Sequence, residues 1–242
     1  MIKFFRKIRQ KLLSESKFSK YLIYAIGEIV LVVIGILIAL GINNWNENRK
    51  TEEKTKQFLI SLISDLRNDL YEITEVTEDQ FLRSKSITDA IELSSSPDLN
   101  IIILKDSIKS YDAGRNFTFF PTVGSYNAAS NIGLIDKINN EALKRSILNL
   151  YEHLYVRVVH NGEILDERTG QMDWESRRYI ENSKQSLFFD KEALLNDDFI
   201  HQLNYVNRFI GFYITRCDNT KSGIEEVLFN IGKYLNSETA KN

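Results

Sequence analysis

The chain has 242 residues, 31 Lys and Arg against 33 Asp and Glu, and a formal net charge of −2, so it lacks the basic surplus that nucleic-acid binding uses to neutralise phosphates. Its single cysteine, Cys217, excludes an intrachain disulfide and a thiolate zinc cluster. Charge is unevenly placed: seven basic residues face only Glu15 within residues 1–20, and once Glu28 is also set aside the rest of the chain carries −7.

At the start, Ile2, Phe5, Ile8 and Leu12 recur at helical spacing with Lys3, Arg6, Lys7, Arg9 and Lys11 between them. That pattern predicts an amphipathic leader (residues 1–20) lying on the inner leaflet, where each basic residue contributes about 1 kcal/mol near anionic lipid. From Tyr21 to Ile42 every residue is apolar, aromatic or small except Glu28. A helix of that length rises about 30 Å, enough for the hydrocarbon core. Ala39 and Gly41 resemble a signal-peptide cleavage site, but a signal core is only about 7 to 15 residues long, so the segment reads as an uncleaved anchor. The basic leader outweighs Arg49, Lys50, Lys54 and Lys56 on the far side. The expected topology is a single pass with the N-terminus in the cytoplasm and the residues after Trp45 outside.

Tyr21, Tyr24 and Trp45 are the expected interfacial anchors, which puts Glu28 about 6 Å inside the cytoplasmic edge. Glu28, Gly35, Ala39 and Ile42 fall on one helical face, and Gly35 with Ala39 forms a small-xxx-small pair. The partners expected of this segment are membrane lipid and, through that face, a second copy or another membrane protein.

Residues 43–57 are polar apart from Trp45 and read as a helical stalk, and residues 58–242 as the outer domain. Leu59, Leu62, Ile63, Leu66, Leu70 and Ile73, continuing to Phe81, Ile87 and Ile91, predict an amphipathic helix. SSSPDLN, residues 94–100, breaks it, and a short helix is expected at 104–112. Phe117, Phe119 and Phe120 lie in an irregular stretch that reads as a loop plugged into the bundle, with a pocket lining as the alternative. Pro121 and Thr122 are expected to start a helix ending near Gly133. Asn140 is a plausible cap for a helix reaching about residue 182, with Ile147, Tyr151, Leu154, Val158, Leu165 and Met172 on one side and Gly162 and Gly170 within it. After a turn at 182–190, the stripe Leu203, Val206, Ile210, Ile214, Cys217, Ile224, Leu228, Ile231 predicts a last helix with Cys217 buried. The fold class is all-α, an antiparallel helical bundle behind one transmembrane helix.

His153 and His160 are seven residues apart, too far to share a metal without other ligands, and His160 with Glu163 is an ordinary helical pair. No zincin, nucleophile-elbow, Walker or dinucleotide motif occurs. No catalytic residue, cofactor site, cofactor or metal ligand is assigned.

INNWNENR, residues 42–49, following the segment that begins FRKIRQKLL, resembles an uncharacterised family of small single-pass membrane proteins common in Bacteroidota. FFPTVGSYNAASNIGLIDKINNEALKRSILNLYE, residues 119–152, is similar to that family's midsection, with Val123 and Gly124 replacing the more usual Thr or Ser before Tyr126. The resemblance implies an inner-membrane protein with a helical outer domain and supplies no activity. The expected role is a binding or scaffold module of an envelope complex. The alternatives are a membrane-tethered enzyme using acids within the bundle, or an accessory subunit of a transporter.

Overall fold

The structure is a computed structural model that describes residues 18–95, 117–176, 180–183, 186–189 and 197–239. The chain divides into two compact units, Met1–Lys54 and Thr55–Asn242. Helix α1 (Phe18–Ser94) begins in the first and ends in the second. Its part in the first unit is long and apolar enough to cross a membrane: an 18-residue window reaches a mean hydropathy of 2.8 with none of it buried. No Gly or Pro occurs between Gly41 and Pro97, so nothing in the backbone stops α1 before the SSSPDLN break.

In the second unit α1 buries Thr55, Leu59, Leu62, Leu66, Asp69, Ile73, Val76, Gln80, Arg83, Ile87 and Ala90, in alternating steps of four and three residues. A repeat averaging 3.5 residues keeps one stripe inward when helices coil gently around one another. Helix α5 (Asp197–Thr239) has the same rhythm through Phe199, Leu203, Val206, Ile210, Tyr213, Cys217, Thr220, Ile224, Val227 and Ile231. Between them, α3 (Glu141–Asn149) runs through a π-helical turn (Leu150–Leu154) into α4 (Tyr155–Ser176). The buried positions step from Leu143 to Ile147 to Leu150, then five residues to Tyr155, and regularly again to Met172. The π turn absorbs the extra residue. Without it, everything beyond Leu150 would rotate off the stripe by about 100°.

Pairings across the bundle give the helix directions. Asp69 meets Tyr155 and Arg83 meets Thr169, so α1 and α4 run the same way. Ser146 meets Asn230 while Gly162 lies against Tyr213, so α5 runs opposite to the α3–α4 helix. Thr77 beside Cys217 and Ser84 on Asn207 repeat that sense for α1. Parallel neighbours oblige the chain to return along the bundle before the second can start. The described part of that return is an extended strap, residues 117–123, level with Gln80 at Phe117 and with Asp69 at Thr122.

The all-α expectation holds, and a short ribbon accompanies it: β1 (Ile180–Ser183) pairs antiparallel with β2 (Ser186–Phe189). This ribbon occupies much of the stretch read as a turn, and α4 ends at Ser176, earlier than expected. Helix α2 (Gly124–Asn131) starts after Pro121 and Thr122, because side chains of Asp69 and Tyr151 take up the Thr122 backbone N–H and C=O. Phe81, expected on the inner stripe, is 60% exposed; the stripe instead passes through Gln80 and Arg83. Asn140 caps α3 by accepting the Leu143 N–H at 2.9 Å.

The end of α2 is a Schellman turn: Leu134 N–H bonds Ala129 O at 2.9 Å, Gly133 N–H bonds Ser130 O at 3.0 Å, and Gly133 has φ +66. A side chain there is strained by about 1 to 2 kcal/mol. Gly133→Ala should lower the unfolding free energy of the full chain by about 1 kcal/mol in urea titration, and an unchanged midpoint would show that the left-handed turn is not needed.

Candidate functional site

An extended strap lying along a bundle carries backbone N–H and C=O groups with no ladder to join, and each one left bare where it is buried costs about 1 to 3 kcal/mol. The long helices supply the partners. Asp69 Oδ1 accepts the Thr122 N–H at 3.0 Å and its Oδ2 accepts the Tyr155 hydroxyl at 2.6 Å. The Tyr213 hydroxyl accepts the Phe119 N–H at 2.7 Å, and Gln80 Nε2 donates to the Phe117 carbonyl at 2.8 Å. Thr118 Oγ1 donates to Asp166 at 3.1 Å. Phe119 is 1% exposed, with its ring 5.8 Å from that of Tyr155. Gly162 makes the crossing possible, since a Cβ there would stand 3.2 Å from Thr118 Cβ.

Around Asp69 the aromatic rings form a continuous stack. Tyr126 lies flat on Tyr151 at 4.1 Å between centroids, Tyr151 meets Tyr155 edge-on at 4.9 Å, and the Tyr126 hydroxyl donates to Glu152. Burial raises the Asp69 carboxyl above its ordinary pKa; the Tyr155 and Thr122 hydrogen bonds oppose the rise and Asp65 adds to it. Burial, with the nearby acids behind it, also raises the Tyr151 and Tyr155 phenols, so they remain donors at any ordinary pH. Burial pushes the Cys217 thiol up to about 11, which leaves it a weak nucleophile. This polar cluster holds backbone in place; its acids and phenols are engaged with one another and with the strap.

Among the described residues, two open clefts lie on the surface. One, of about 600 Å³, runs along α1 and is lined by Asn68, Tyr71, Glu72, Glu75, Val76, Asp79, Phe117 and Thr118. Glu72, Glu75 and Asp79 follow one another by three and four residues and so project from one helix face. Tyr71 is 70% exposed at its edge and Phe117 49%. The other, of about 400 Å³, lies between α4 and α5 and includes Arg168, Asp198, His201 and Tyr205. Among the described residues, no three His, Cys, Asp or Glu side chains gather where they could hold a metal ion.

The residues singled out from sequence fall as follows. Lys3, Arg6, Lys7, Arg9 and Lys11 lie outside the described residues, as does the helix expected at 104–112. Tyr21 and Tyr24 are on α1, their side chains also outside the description. Trp45 is exposed, with the Arg49 guanidinium 5.6 Å from its ring centroid. Glu28, Gly35, Ala39 and Ile42 are exposed on α1, and a Cβ at Gly35 would meet nothing within 4 Å. Of the three phenylalanines, Phe119 plugs the bundle as expected, Phe117 lines the α1 cleft and Phe120 is exposed. His160 pairs with Glu163 at 3.7 Å on an exposed surface. Sequence reasoning missed Asp69, Gln80, Arg83, Tyr155 and Tyr213 as a set. Strict counting in sevens from Leu59 and from Leu62 would have placed the first three on the inner stripe.

The fold defines a helical-bundle protein with, among the described residues, one helix long and apolar enough to cross a bilayer. A family model described as a family of unknown function, DUF6090, matches residues 28–215. The chain belongs to that family. Comparison with curated proteins and with solved structures gives no match.

The strap's dependence on its partners can be measured directly. Tyr213→Phe keeps the ring and removes the acceptor of the Phe119 N–H, so it should cost about 1 to 3 kcal/mol in urea unfolding. Tyr126→Phe loses only a contact to the exposed Glu152 and should cost less than about 1 kcal/mol. Equal effects would show that the strap's amide is not buried as described.

Proposed function

We propose that the protein is a single-pass inner-membrane protein that presents an acidic helical domain to the periplasm as a binding or scaffold module of an envelope complex. The observation that carries this reading is the contrast between the interior and surface of the outer domain. Inside, Asp69, Gln80 and Tyr213 hold the strap, whereas the surface keeps an open cleft with Tyr71 and Phe117 at its rim and three carboxylates from one helix face. Exposed aromatics in a concave surface favour docking of a partner. An enzyme would call for acids converging from several elements on one reacting atom, and Glu72, Glu75 and Asp79 share a single helix.

The orientation rests on the Lys and Arg excess of the leader. Alkaline phosphatase fused after Lys50 should be active in cells, and an inactive fusion would reverse the topology. For the binding role, a photoreactive side chain at position 71 or 117 should crosslink to a discrete partner in intact envelopes, and the Glu72→Gln, Glu75→Gln, Asp79→Gln triple variant should weaken that crosslink. Crosslinks to lipid alone at both positions would remove the cleft from the account.

Association through the membrane helix is a second reading, favoured by the small-xxx-small pair Gly35 and Ala39 on the face shared with Glu28 and Ile42. A homo-oligomer or an accessory subunit of a transporter would use this face. Replacing Gly35 and Ala39 with Ile should abolish crosslinking between membrane helices, and an unchanged yield would discard the reading.

A further inference from the structure

Helix α5 carries an aromatic run outside its buried stripe. Tyr205, Phe209 and Phe212 follow one another by four and three residues and so share one face. The Tyr205 and Phe209 rings meet edge-on at 5.0 Å, and Tyr205 and Phe212 are exposed. The smaller cleft joins this face to α4, because Arg168 and Gln171 line it together with Gln202 and Tyr205. From there the helices continue side by side in opposite chain directions, with Arg168, Asn161 and Arg157 along α4 and the aromatic run followed by Arg216 along α5. Gly162 against Tyr213 fixes the match and brings Arg157 and Arg216 to the same end. The stripe is therefore aromatic in the middle and cationic at both ends. Among the described residues no carboxylate ion-pairs with Arg157 or Arg216, and Arg168 has only Glu167 at 4.0 Å.

The α1 cleft has the complementary character. Tyr71 and Phe117 are its exposed rings, and Glu72, Glu75 and Asp79 stand beside them. Among the described residues no cation ion-pairs with these three acids. The cleft and the stripe also lie at one level along the bundle. Asp69 meets Tyr155 and Arg83 meets Thr169, each pair 86 residues apart, so residues 71–79 of α1 stand level with residues 157–165 of α4. They open on different flanks, the cleft on the strap side of α1 and the stripe between α4 and α5.

We propose that the occupant of the α1 cleft is the arginine and aromatic stripe of a second copy of this chain, so that outer domains associate side by side. The inference rests on the reading of the cleft as a docking surface and names its partner. Guanidinium groups suit both halves of the cleft, pairing with its carboxylates and stacking on its rings. The charges fix partner and register, and the aromatic residues supply the area removed from water. Copies held in one membrane point the same way, and surfaces at one level then meet without one domain sliding along the other. Because the two patches differ, the contact is heterologous: a pair leaves one cleft and one stripe free, and further copies extend it into a ring or a row.

The test uses the full chain in membranes with a photoreactive side chain at position 71. Illumination should give a product of two chains whose partner peptide lies within residues 157–168 or 205–216. Reversing the stripe by Arg157→Glu, Arg168→Glu and Arg216→Glu should lower that product about tenfold, since like charges then face each other. Reversing the cleft by Glu72→Arg, Glu75→Arg and Asp79→Arg should do the same. Expressed together, the two reversed chains should recover it, because each cleft again finds a stripe of opposite charge; the recovery also shows that both variants fold. Crosslinks at position 71 to a different protein alone would overturn this inference and leave the docking reading standing, whereas crosslinks to lipid alone would overturn both. Chain-to-chain products that map to other segments, that survive both reversals, or that do not return in the mixture would each overturn the proposal.

Discussion

The outer domain depends on one constraint: a length of extended backbone must pass along the bundle because α1 and α4 run in the same direction. Its amides and carbonyls meet no sheet or helix ladder, so side chains must satisfy them. Asp69, Gln80 and Tyr213 are where they are for that reason, at stripe positions that an uninterrupted bundle would fill with Leu or Ile. Gly162 belongs to the same arrangement, leaving room where Thr118 crosses α4. The π turn belongs to it as well. The residue it accommodates lets Tyr151 stack on Tyr126 while Tyr155 still reaches Asp69.

This arrangement explains which parts of the fold are legible in the sequence. On α5 the stripe is apolar at nearly every buried position, Thr220 being the polar exception, and apolar periodicity finds it together with the buried Cys217. On α1 the same rhythm is obscured at Asp69, Gln80 and Arg83, and an eye following apolar residues drifts to Phe81, which faces solvent. Polarity at those positions reflects the strap and α4 opposite, information carried by residues far away in the chain. The five-residue step at the π turn is equally hidden, because Leu150, Tyr151 and Leu154 all look fit for a core. Helix directions were not legible either, since they depend on a return segment with no periodicity of its own. The caps could be read: Asn140 and Gly133 act through local chemistry that their residue types announce. Of the candidate site, only the plugging role of Phe119 could be read ahead of the structure.

The two units meet different physical demands. In the first, α1 is exposed, and long and apolar enough to cross a membrane. In the second, the buried Asp69, Gln80 and Tyr213 are committed to the strap. On the surface, the α1 cleft sets Tyr71 and Phe117 beside the carboxylates of Glu72, Glu75 and Asp79. Membership of a family of unknown function leaves chemistry to be read from such surfaces.

The central claim is that side chains from the helices hold the strap's backbone at Phe119 and Thr122, although Phe119 is the one strap side chain in the core. Native-state hydrogen exchange of the full chain in detergent or nanodiscs tests it at two amides, Phe119 and Thr122. If side chains of Tyr213 and Asp69 hold them as described, both should exchange only on global unfolding, with protection equal to that of seam amides such as Leu62 and Ile210. Exchange of either at the rate of a solvent-exposed loop, while those seam amides stay protected, would contradict the account.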